Sequence, residues 1–432
     1  MMPDRVEPGG PPRAAPGRRR VWQILGPGLI TGASDDDPSG IATYSQVGAQ
    51  FGNSACWVML FSFPLMAAIQ EICARIGSVT GNGIAGNIRR HYPPYLLQGT
   101  VLILLTANII NLGADLGAMA DALGLFVGGP HLLYVVAFGA VCVVLEIFMR
   151  YRRYVDLLKW STLALFAYVA TALVVKVDWA DVTYRTLVPF IRFDSAYTVA
   201  IVAVFGTTIS PYLFFWQSSQ EAEDEFENHQ SPLRLAPLRA PGELSRIRID
   251  TYLGMFFSNA ISWFIIVTVA ATLHTHGITN VDTSAQAAEA LRPIAGPFAF
   301  ALFGLGIIGT GMLAVPVLAG SAAYALAEAL QWPVGLARLP FDAKAFYATI
   351  GVATGIGMLI NIMPIDPIKA LFWAAVLNGV CAVPLMAVAM LMARNPRVMG
   401  RFTLPMPLTV MGWLATAVMA VVVIAMFATW NG

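Results

Sequence analysis

The chain has 432 residues, of which 57% are hydrophobic and 12% charged, and its formal net charge is +1. With a mean hydropathy of +0.67, this composition excludes a soluble or disordered protein and is typical of a chain that crosses a membrane many times. A net charge so close to zero gives no indication of a nucleic-acid partner.

Apolar runs of about 17–25 residues, or somewhat longer, can cross a bilayer as helices. On this criterion the sequence predicts eleven spans, the first and sixth of them broken, near residues 24–49, 52–74, 97–122, 131–149, 156–176, 196–219, 250–273, 296–328, 346–363, 367–392 and 407–429. Residues 1–20 are rich in Arg, Pro and Gly and are predicted to be a disordered arm. The four cysteines show no close pairing, so we expect neither disulfides nor a zinc site.

The basic residues predict the orientation of the chain. If the N-terminus is cytoplasmic, 21 of the 26 Lys and Arg residues lie on the cytoplasmic side, as the positive-inside rule requires. With an odd number of spans the C-terminus then lies outside. We expect an integral protein of a bacterial cytoplasmic membrane.

The first break is the most unusual part of the chain, because three carboxylates lie in an apolar segment of membrane length, Gly26-Pro27-Gly28-Leu29-Ile30-Thr31-Gly32-Ala33-Ser34-Asp35-Asp36-Asp37-Pro38-Ser39-Gly40. A charged Asp at the centre of a membrane helix costs about 2.5–3.5 kcal/mol, so Asp37 is expected to face protein, water or a cation. Pro38 removes a backbone donor and, with Gly40, breaks the helix, which frees carbonyl oxygens beside the carboxylate. The segment therefore predicts a cation site.

A second break is predicted at Pro211, within the sixth span. Spans 1 and 6 hold corresponding positions in two halves of five spans, and a matched pair of interrupted helices indicates a transport site between inverted repeats. The sequence thus predicts repeat one at about 21–176, repeat two at about 196–392, and an additional helix at about 407–429.

Three segments resemble the Nramp family of divalent metal transporters. The first, Asp37-Pro38-Ser39-Gly40-Ile41-Ala42-Thr43, is similar to the family's Asp-Pro-Gly-Asn followed by Ala-Thr. The second, Ala74-Arg75-Ile76-Gly77-Ser78-Val79-Thr80-Gly81, is similar to Ala-Arg-Leu-Gly-x-x-Thr-Gly, and the third, Asp250-Thr251, opens span 7. The resemblance covers residues 21–429. It implies an all-α membrane protein with a LeuT-like inverted-repeat fold of five plus five helices and one extra helix, and import of divalent cations.

The sixth span departs from that family. Where Nramp proteins have Met-Pro-His, this chain has Ser210-Pro211-Tyr212, and the family's Asn in the first span is replaced by Gly40. A thioether favours transition ions, whereas a hydroxyl suits Mg or Ca. A phenol with a pKa near 10 is a poor substitute for His in proton transfer. These departures resemble the Nramp-related branch that includes magnesium transporters. They favour an importer of hard ions such as Mg, or one of broad selectivity, and argue against proton coupling.

The candidate ligands each have an alternative structural role. Asp37 is expected to bind the ion and also suits the N-cap of the following half-helix. Asp36 either ligates the ion, attracts cations or pairs with an Arg. Ser210 is either a ligand, direct or through water, or bonds to the carbonyl four residues back. The resemblance implies a carbonyl ligand at Thr207 and a side-chain ligand at Asn378.

Asp115, Tyr212 and Gln217 are candidates for the ion pathway or a proton route, although Gln217 equally suits an interhelical hydrogen bond. Residues 221–247, which begin with an acidic run and continue with several prolines, are predicted to form a cytoplasmic loop.

A proton-coupled importer of Mn or Fe is an alternative within this class, and two other classes of function fit the sequence less well. A carrier of amino acids or amines on the same fold conflicts with the three aspartates, which would repel a carboxylate. An enzyme finds no support, because the sequence contains no HExxH, GxSxG or phosphate-binding Gly-rich loop. We expect no cofactor, only the transported divalent cation and the lipid bilayer as partners, no nucleic acid, and a monomer.

Overall fold

The structure is a computed structural model that describes residues 27–149, 161–363 and 365–430. The predicted arm and the first residues of the spans predicted at 24–49 and 156–176 lie outside the described residues. Within the described part of the chain the regular secondary structure is helical, without any strand.

The α-helices of the described residues are α1 Pro27–Asp35, α2 Pro38–Phe51, α3 Cys56–Thr80, α4 Ile84–His91, α5 Pro94–Val127, α6 His131–Phe148, α7 Phe166–Val174, α8 Trp179–Leu187, α9 Ser195–Thr208, α10 Pro211–Glu227, α11 Ala240–Thr272, α12 Ser284–Glu289, α13 Arg292–Ala295, α14 Ala299–Leu330, α15 Lys344–Ile360, α16 Pro367–Ala393, α17 Pro396–Met399 and α18 Met406–Thr429. Eight helical stretches of this part are long and apolar enough to cross a membrane, or up to nine if a bent pair forms one span. The predicted count of eleven stays a prediction.

Both predicted breaks coincide with helix boundaries. The first helix ends at Asp35 and the next begins at Pro38, while α9 ends at Thr208 and α10 begins at Pro211. Proline suits the first position of a helix, because its missing N–H would have no intrahelical acceptor there. Each break therefore separates two half-helices by two residues.

The half-helices lie at the centre of the molecule. The first half, α1, packs against α11, and α2 packs against α11, α16, α9 and α5. In the second pair α9 packs against α16, and α10 packs against α3 and α14. The two breaks thus meet between the long helices α5, α11, α14 and α16.

Glycines allow the closest of these approaches. A Cβ atom at Gly32 would collide with the backbone of Gly254, and one at Gly254 would collide with the carbonyl oxygen of Gly28. In the other pair, a Cβ atom at Gly206 would collide with the backbone at Gly379. Only residues without a side chain let α1 approach α11, and α9 approach α16, this closely.

The prediction of a loop over residues 221–247 is wrong at both ends of that range, since α10 continues to Glu227 and α11 begins at Ala240. The acidic side chains near the end of α10 make tertiary contacts. Glu221 forms an ion pair with Arg246 on α11. The carboxylate of Glu225 likewise accepts a hydrogen bond from a serine of α3. These tertiary contacts stabilise a helix where composition alone indicates a solvated loop.

We expect Gly206→Ala to lower the melting temperature of the purified chain, because overpacking a core costs about 1–3 kcal/mol. The matched control is Gly355→Ala in α15, where a Cβ atom would meet nothing within 4 Å. That variant should be neutral or slightly stabilised, since Ala is better than Gly inside a helix by about 0.5–1 kcal/mol. Equal melting temperatures for the two variants, measured by fluorescence-detected size exclusion after heating, would contradict the close packing of α9 on α16.

Candidate metal site

Asp37 occupies the first break as the N-cap of α2. Its Oδ1 accepts hydrogen bonds from the hydroxyl of Ser39 at 2.8 Å and from the backbone N–H of Gly40 at 2.7 Å. The side chain is buried, with a relative exposure of 1% for the residue. One carboxylate oxygen is therefore engaged in capping, while Oδ2 faces the second break.

Tyr212, in the first turn of α10, connects the two breaks. Its hydroxyl lies 3.0 Å from the carbonyl oxygen of Ser34 and 3.3 Å from Oδ2 of Asp37. A phenol has one proton to donate, so the two acceptors share it. Oδ2 consequently keeps most of its capacity to bind a cation.

The second break contributes two hydroxyl groups. That of Ser210 donates to the carbonyl oxygens of Gly206 at 2.8 Å and Thr207 at 2.9 Å, which is the structural role that the sequence left open. The hydroxyl of Thr207 is buried without a hydrogen-bond partner. It faces Gly40, where a Cβ atom would lie 3.2 Å away. The hydroxyl oxygens of both residues retain lone pairs that can accept or ligate.

Buried amide and carboxylate groups lie on α5 and α16, two of the helices that pack against α2. Asp115 is fully buried, and neither of its carboxylate oxygens has a hydrogen-bond partner. The amide of Asn111 lies beside the carboxylate of Asp37. On α16 the amide nitrogen of Asn378 is buried without a hydrogen-bond partner. A buried polar group without a partner costs about 1–3 kcal/mol, so such a set fits a site that holds an ion with its waters.

Asp35 and Asp36 point in another direction. Ser258 on α11 donates to Oδ2 of Asp35 at 2.6 Å and approaches Oδ1 of Asp36 at 3.1 Å, and Ser262 lies 3.3 Å from that same Oδ1. Among the described residues no group of three or more His, Cys, Asp or Glu side chains is arranged to hold a metal ion. The three consecutive aspartates do not converge, because Asp37 faces α10 while its two neighbours face α11.

Gln217 lies two turns into α10 and is completely buried. Its amide nitrogen donates to the hydroxyl of Thr251 on α11 at 2.9 Å. The structure thus places Gln217 in the interhelical hydrogen bond that was the alternative to a role in the pathway.

The carboxylate of Asp250 holds the start of α1. The backbone N–H groups of Gly28 and Leu29 donate to its two oxygens at 2.8 Å and 3.2 Å. An acidic group near a helix N-terminus satisfies free donors and complements the helix dipole. Asp250 therefore fixes the first half-helix to α11.

A cavity of about 370 Å³ lies between the ends of α2 and α18 and the starts of α9 and α16. Gln46, Lys369 and Trp430 line it, and none of the candidate ligands does. Since Asp37, Ser210 and Asn378 are each at most 2% exposed, the site is enclosed by protein.

Sequence reasoning missed the partners of the first break on α11. Ser258 and Ser262 are four residues apart, a spacing that places both hydroxyls on one helix face. This spacing was the feature of the sequence from which a shared polar face on α11 could have been predicted. Nothing in the sequence indicated which helix that face would meet.

The comparisons with known proteins agree with this architecture. A family model described as Natural resistance-associated macrophage protein-like, or Nramp, matches residues 28–429.

The chain belongs to the Nramp family.

Among its relatives, the divalent metal cation transporter MntH of Deinococcus radiodurans is 26% identical and is aligned over 95% of this chain and 89% of its own length. A protein of the same name from Klebsiella pneumoniae is 25% identical, over 97% of this chain and 96% of its own length. Nramp proteins are integral membrane transporters and not enzymes, so the prediction of a non-enzymatic membrane protein is confirmed.

Solved structures show the fold. The manganese transporter of Eremococcus coleocola superposes with a TM-score of 0.71 at 16% identity, covering 97% of this chain and 90% of that one. Mhp1, a nucleobase-cation-symport-1 family transporter, superposes with a TM-score of 0.55 at 14% identity, and MhsT, solved in complex with L-phenylalanine, superposes with a TM-score of 0.57 at 13% identity. Each covers 94% of this chain. The predicted LeuT-like helical fold is confirmed.

We expect Asp250→Ala to loosen α1, because loss of a helix cap costs about 0.5–2 kcal/mol. Hydrogen exchange in a peptide spanning residues 27–35 should accelerate by about 2- to 30-fold, since 1.4 kcal/mol corresponds to a factor of ten. The matched control is Asp366→Ala, which removes a carboxylate that caps α16 through the N–H of Ile368. Unchanged exchange in α1 of the Asp250→Ala chain would show that Asp250 does not hold this half-helix.

Proposed function

We propose that this chain imports divalent metal cations and that Asp37 is the central ligand. The support is the joint burial, at one pair of broken helices, of a carboxylate and several polar groups without protein partners. The names of the relatives as divalent metal cation transporters support the same substrate class. We also propose the predicted orientation, with the N-terminus in the cytoplasm, the two inverted repeats, and a monomer in a bacterial cytoplasmic membrane.

The proposed selectivity is for hard ions such as Mg, or broad among divalent ions. At the position of the Nramp methionine the side chain is Ser210, whose oxygen is a hard donor. Magnesium gives up its water reluctantly and is usually bound through one or two carboxylates with several waters retained. The buried amides of Asn111 and Asn378 and the carboxylate of Asp115 suit hydrogen bonds to such retained waters.

Import without protons is energetically feasible. The membrane potential contributes about 2.3 kcal/mol per charge for each 100 mV, so a dication gains twice that amount on crossing the whole field. The side chain at the family's His position is Tyr212, and its one proton is already shared between Ser34 and Asp37. Nothing in that arrangement requires the phenol to ionise.

The role of Asp37 as an ion ligand can be separated from its role as a helix cap. Asn caps helices as well as Asp does, so Asp37→Asn keeps the N-cap of α2 and removes the charge. We expect uptake of Mg into liposomes, measured at sub-saturating Mg, to fall by about tenfold or more, which corresponds to about 1.4 kcal/mol of lost ion binding. Asp178→Asn, at the N-cap of α8, is the control and should transport like the wild type. Wild-type uptake by Asp37→Asn would leave capping as the only role of Asp37.

Proton coupling is tested with a pH dye inside the same liposomes. We expect Mg to enter without acidification, and Tyr212→Phe to retain uptake with at most about a tenfold change in apparent affinity, since one hydrogen bond contributes about 0.5–1.5 kcal/mol. Uptake of Mn alone, accompanied by acidification that Tyr212→Phe abolishes, would instead support the proton-coupled importer. The likeness to the Eremococcus coleocola manganese transporter makes that the second candidate.

A further inference from the structure

Five exposed arginines form a group at the end of the molecule that the proposed orientation places in the cytoplasm. They come from three separate segments of the chain, and together we call them the basic patch: Arg90, Arg234, Arg394, Arg397 and Arg401. None of the five forms an ion pair with an acidic side chain of the described residues. Their positive charge therefore has no direct counter-charge in this part of the chain.

Backbone and side-chain contacts bring the segment that follows α10 to the other two. The N–H groups of Leu233 and Arg234 donate to the carbonyl oxygens of Ser78 at 3.0 Å and Val79 at 3.1 Å, near the end of α3. The guanidinium group of Arg234 lies 3.4 Å from the carbonyl oxygen of Val398 in α17. Arg234 is thus held between α3 and α17, beside the arginines that flank and open α17.

The short helix α4 meets the same place. The amide nitrogen of Asn395 donates to the hydroxyl of Tyr92 at 3.3 Å, which joins the residues before α17 to the end of α4. Burial and the guanidinium groups of Arg234 and Arg90 lower the pKa of His91. A nearby positive charge disfavours the protonated form of a histidine. The charges of Arg90 and Arg234 therefore act on one spot, where a bound anion would relieve their repulsion.

The patch lies at the level where helices of membrane length end. Arg394 directly follows Ala393, the last residue of α16, and Arg401 shortly precedes Met406, the first residue of α18. Both helices are long and apolar enough to cross a membrane, as is the stretch that ends at Thr80. Because such helices end at the layer of lipid headgroups, the arginines lie at the depth of lipid phosphates.

Exposed apolar side chains beside the arginines are a second, independent observation. Leu235 and Leu238, in the loop that contains Arg234, are 73% and 97% exposed, and Tyr95, in the first turn of α5, is 75% exposed. Apolar and basic side chains together are typical of a surface that lies at the boundary between headgroups and acyl chains. A soluble anion would leave these apolar groups in water, so the combination favours a lipid.

We propose that the basic patch binds the headgroup of an anionic phospholipid, with Leu235 and Leu238 in contact with its glycerol and upper acyl chain. The lipid bridges α4, α17 and the loop that follows the half-helix α10. It therefore fixes the cytoplasmic end of α10 to helices outside the two breaks. This site goes beyond the proposed import of cations and does not depend on which ion is carried.

The test is native mass spectrometry of the purified full-length chain in neutral detergent, titrated with dioleoylphosphatidylglycerol or with dioleoylphosphatidylcholine. We expect the anionic lipid to bind more tightly to the wild type. Each arginine near an anionic lipid strengthens binding by about fivefold, so Arg234→Gln/Arg397→Gln should weaken phosphatidylglycerol binding by about 25-fold. The matched control is Arg338→Gln/Lys344→Gln, which removes two exposed charges from the same end of the molecule but outside the patch. It should keep the affinity of the wild type.

Four outcomes would overturn the proposal. They are equal affinity of the wild type for the two lipids, unchanged phosphatidylglycerol binding by the patch variant, an equal loss in the control variant, and displacement of the lipid by inorganic phosphate, which would assign the patch to a soluble anion. The melting temperature in lipid-free detergent shows whether each variant is folded, and Arg397→Gln alone replaces the patch variant if that chain does not fold. No metal is present in this assay, so none of its outcomes bears on the proposed import of cations.

Discussion

The structure depends on how negative charge is accommodated at the break between α1 and α2. A carboxylate inside a continuous helix would meet no free backbone donor, because each N–H is already bonded along the helix. The interruption at Asp36 and Asp37 provides such donors, and the N–H of Gly40 binds one oxygen of Asp37. Capping thus stabilises the charge without using the second oxygen. The same interruption that makes burial of Asp37 tolerable leaves it able to bind a cation.

Close packing makes this arrangement rigid. Gly28, Gly32 and Gly254 bring α1 against α11, and Asp250 then reaches the amides at the start of α1. On the other side the contact between Gly206 and Gly379 brings α9 against α16. Interiors packed to this degree do not deform continuously. The polar groups around Asp37 are therefore held in place by backbones in contact, and not by long side chains that could relax around any ion.

The sequence predicted the local features of this design well, since each has a local cause. Pro38 and Pro211 mark the starts of two half-helices because proline lacks the donor that helix interiors need. Asp37 was identifiable because charge is costly within an apolar segment. The extent of α10 was not predictable in this way, because Glu221 is buried and its ion pair is with Arg246, 25 positions away. The pairing of Asp35 and Asp36 with α11 was missed for the same reason, since it depends on which helix α1 packs against.

Tyr212 joins the half-helices through the same carboxylate that is proposed to bind the ion. Its hydroxyl bonds to Ser34 at the end of α1 and to Asp37 at the start of α2, so one side chain of α10 contacts both sides of the break. A cation at Oδ2 of Asp37, as proposed, would attract the lone pairs of the phenol oxygen and repel its proton. The hydroxyl proton would then be directed to Ser34 alone, which would strengthen the contact between α10 and α1. In Nramp proteins that have His at the position of Tyr212, protonation would add a competing charge there. In the proposed uncoupled mechanism, the phenol would respond to the ion by reorienting its hydroxyl proton, and no proton would have to enter or leave the site with the ion.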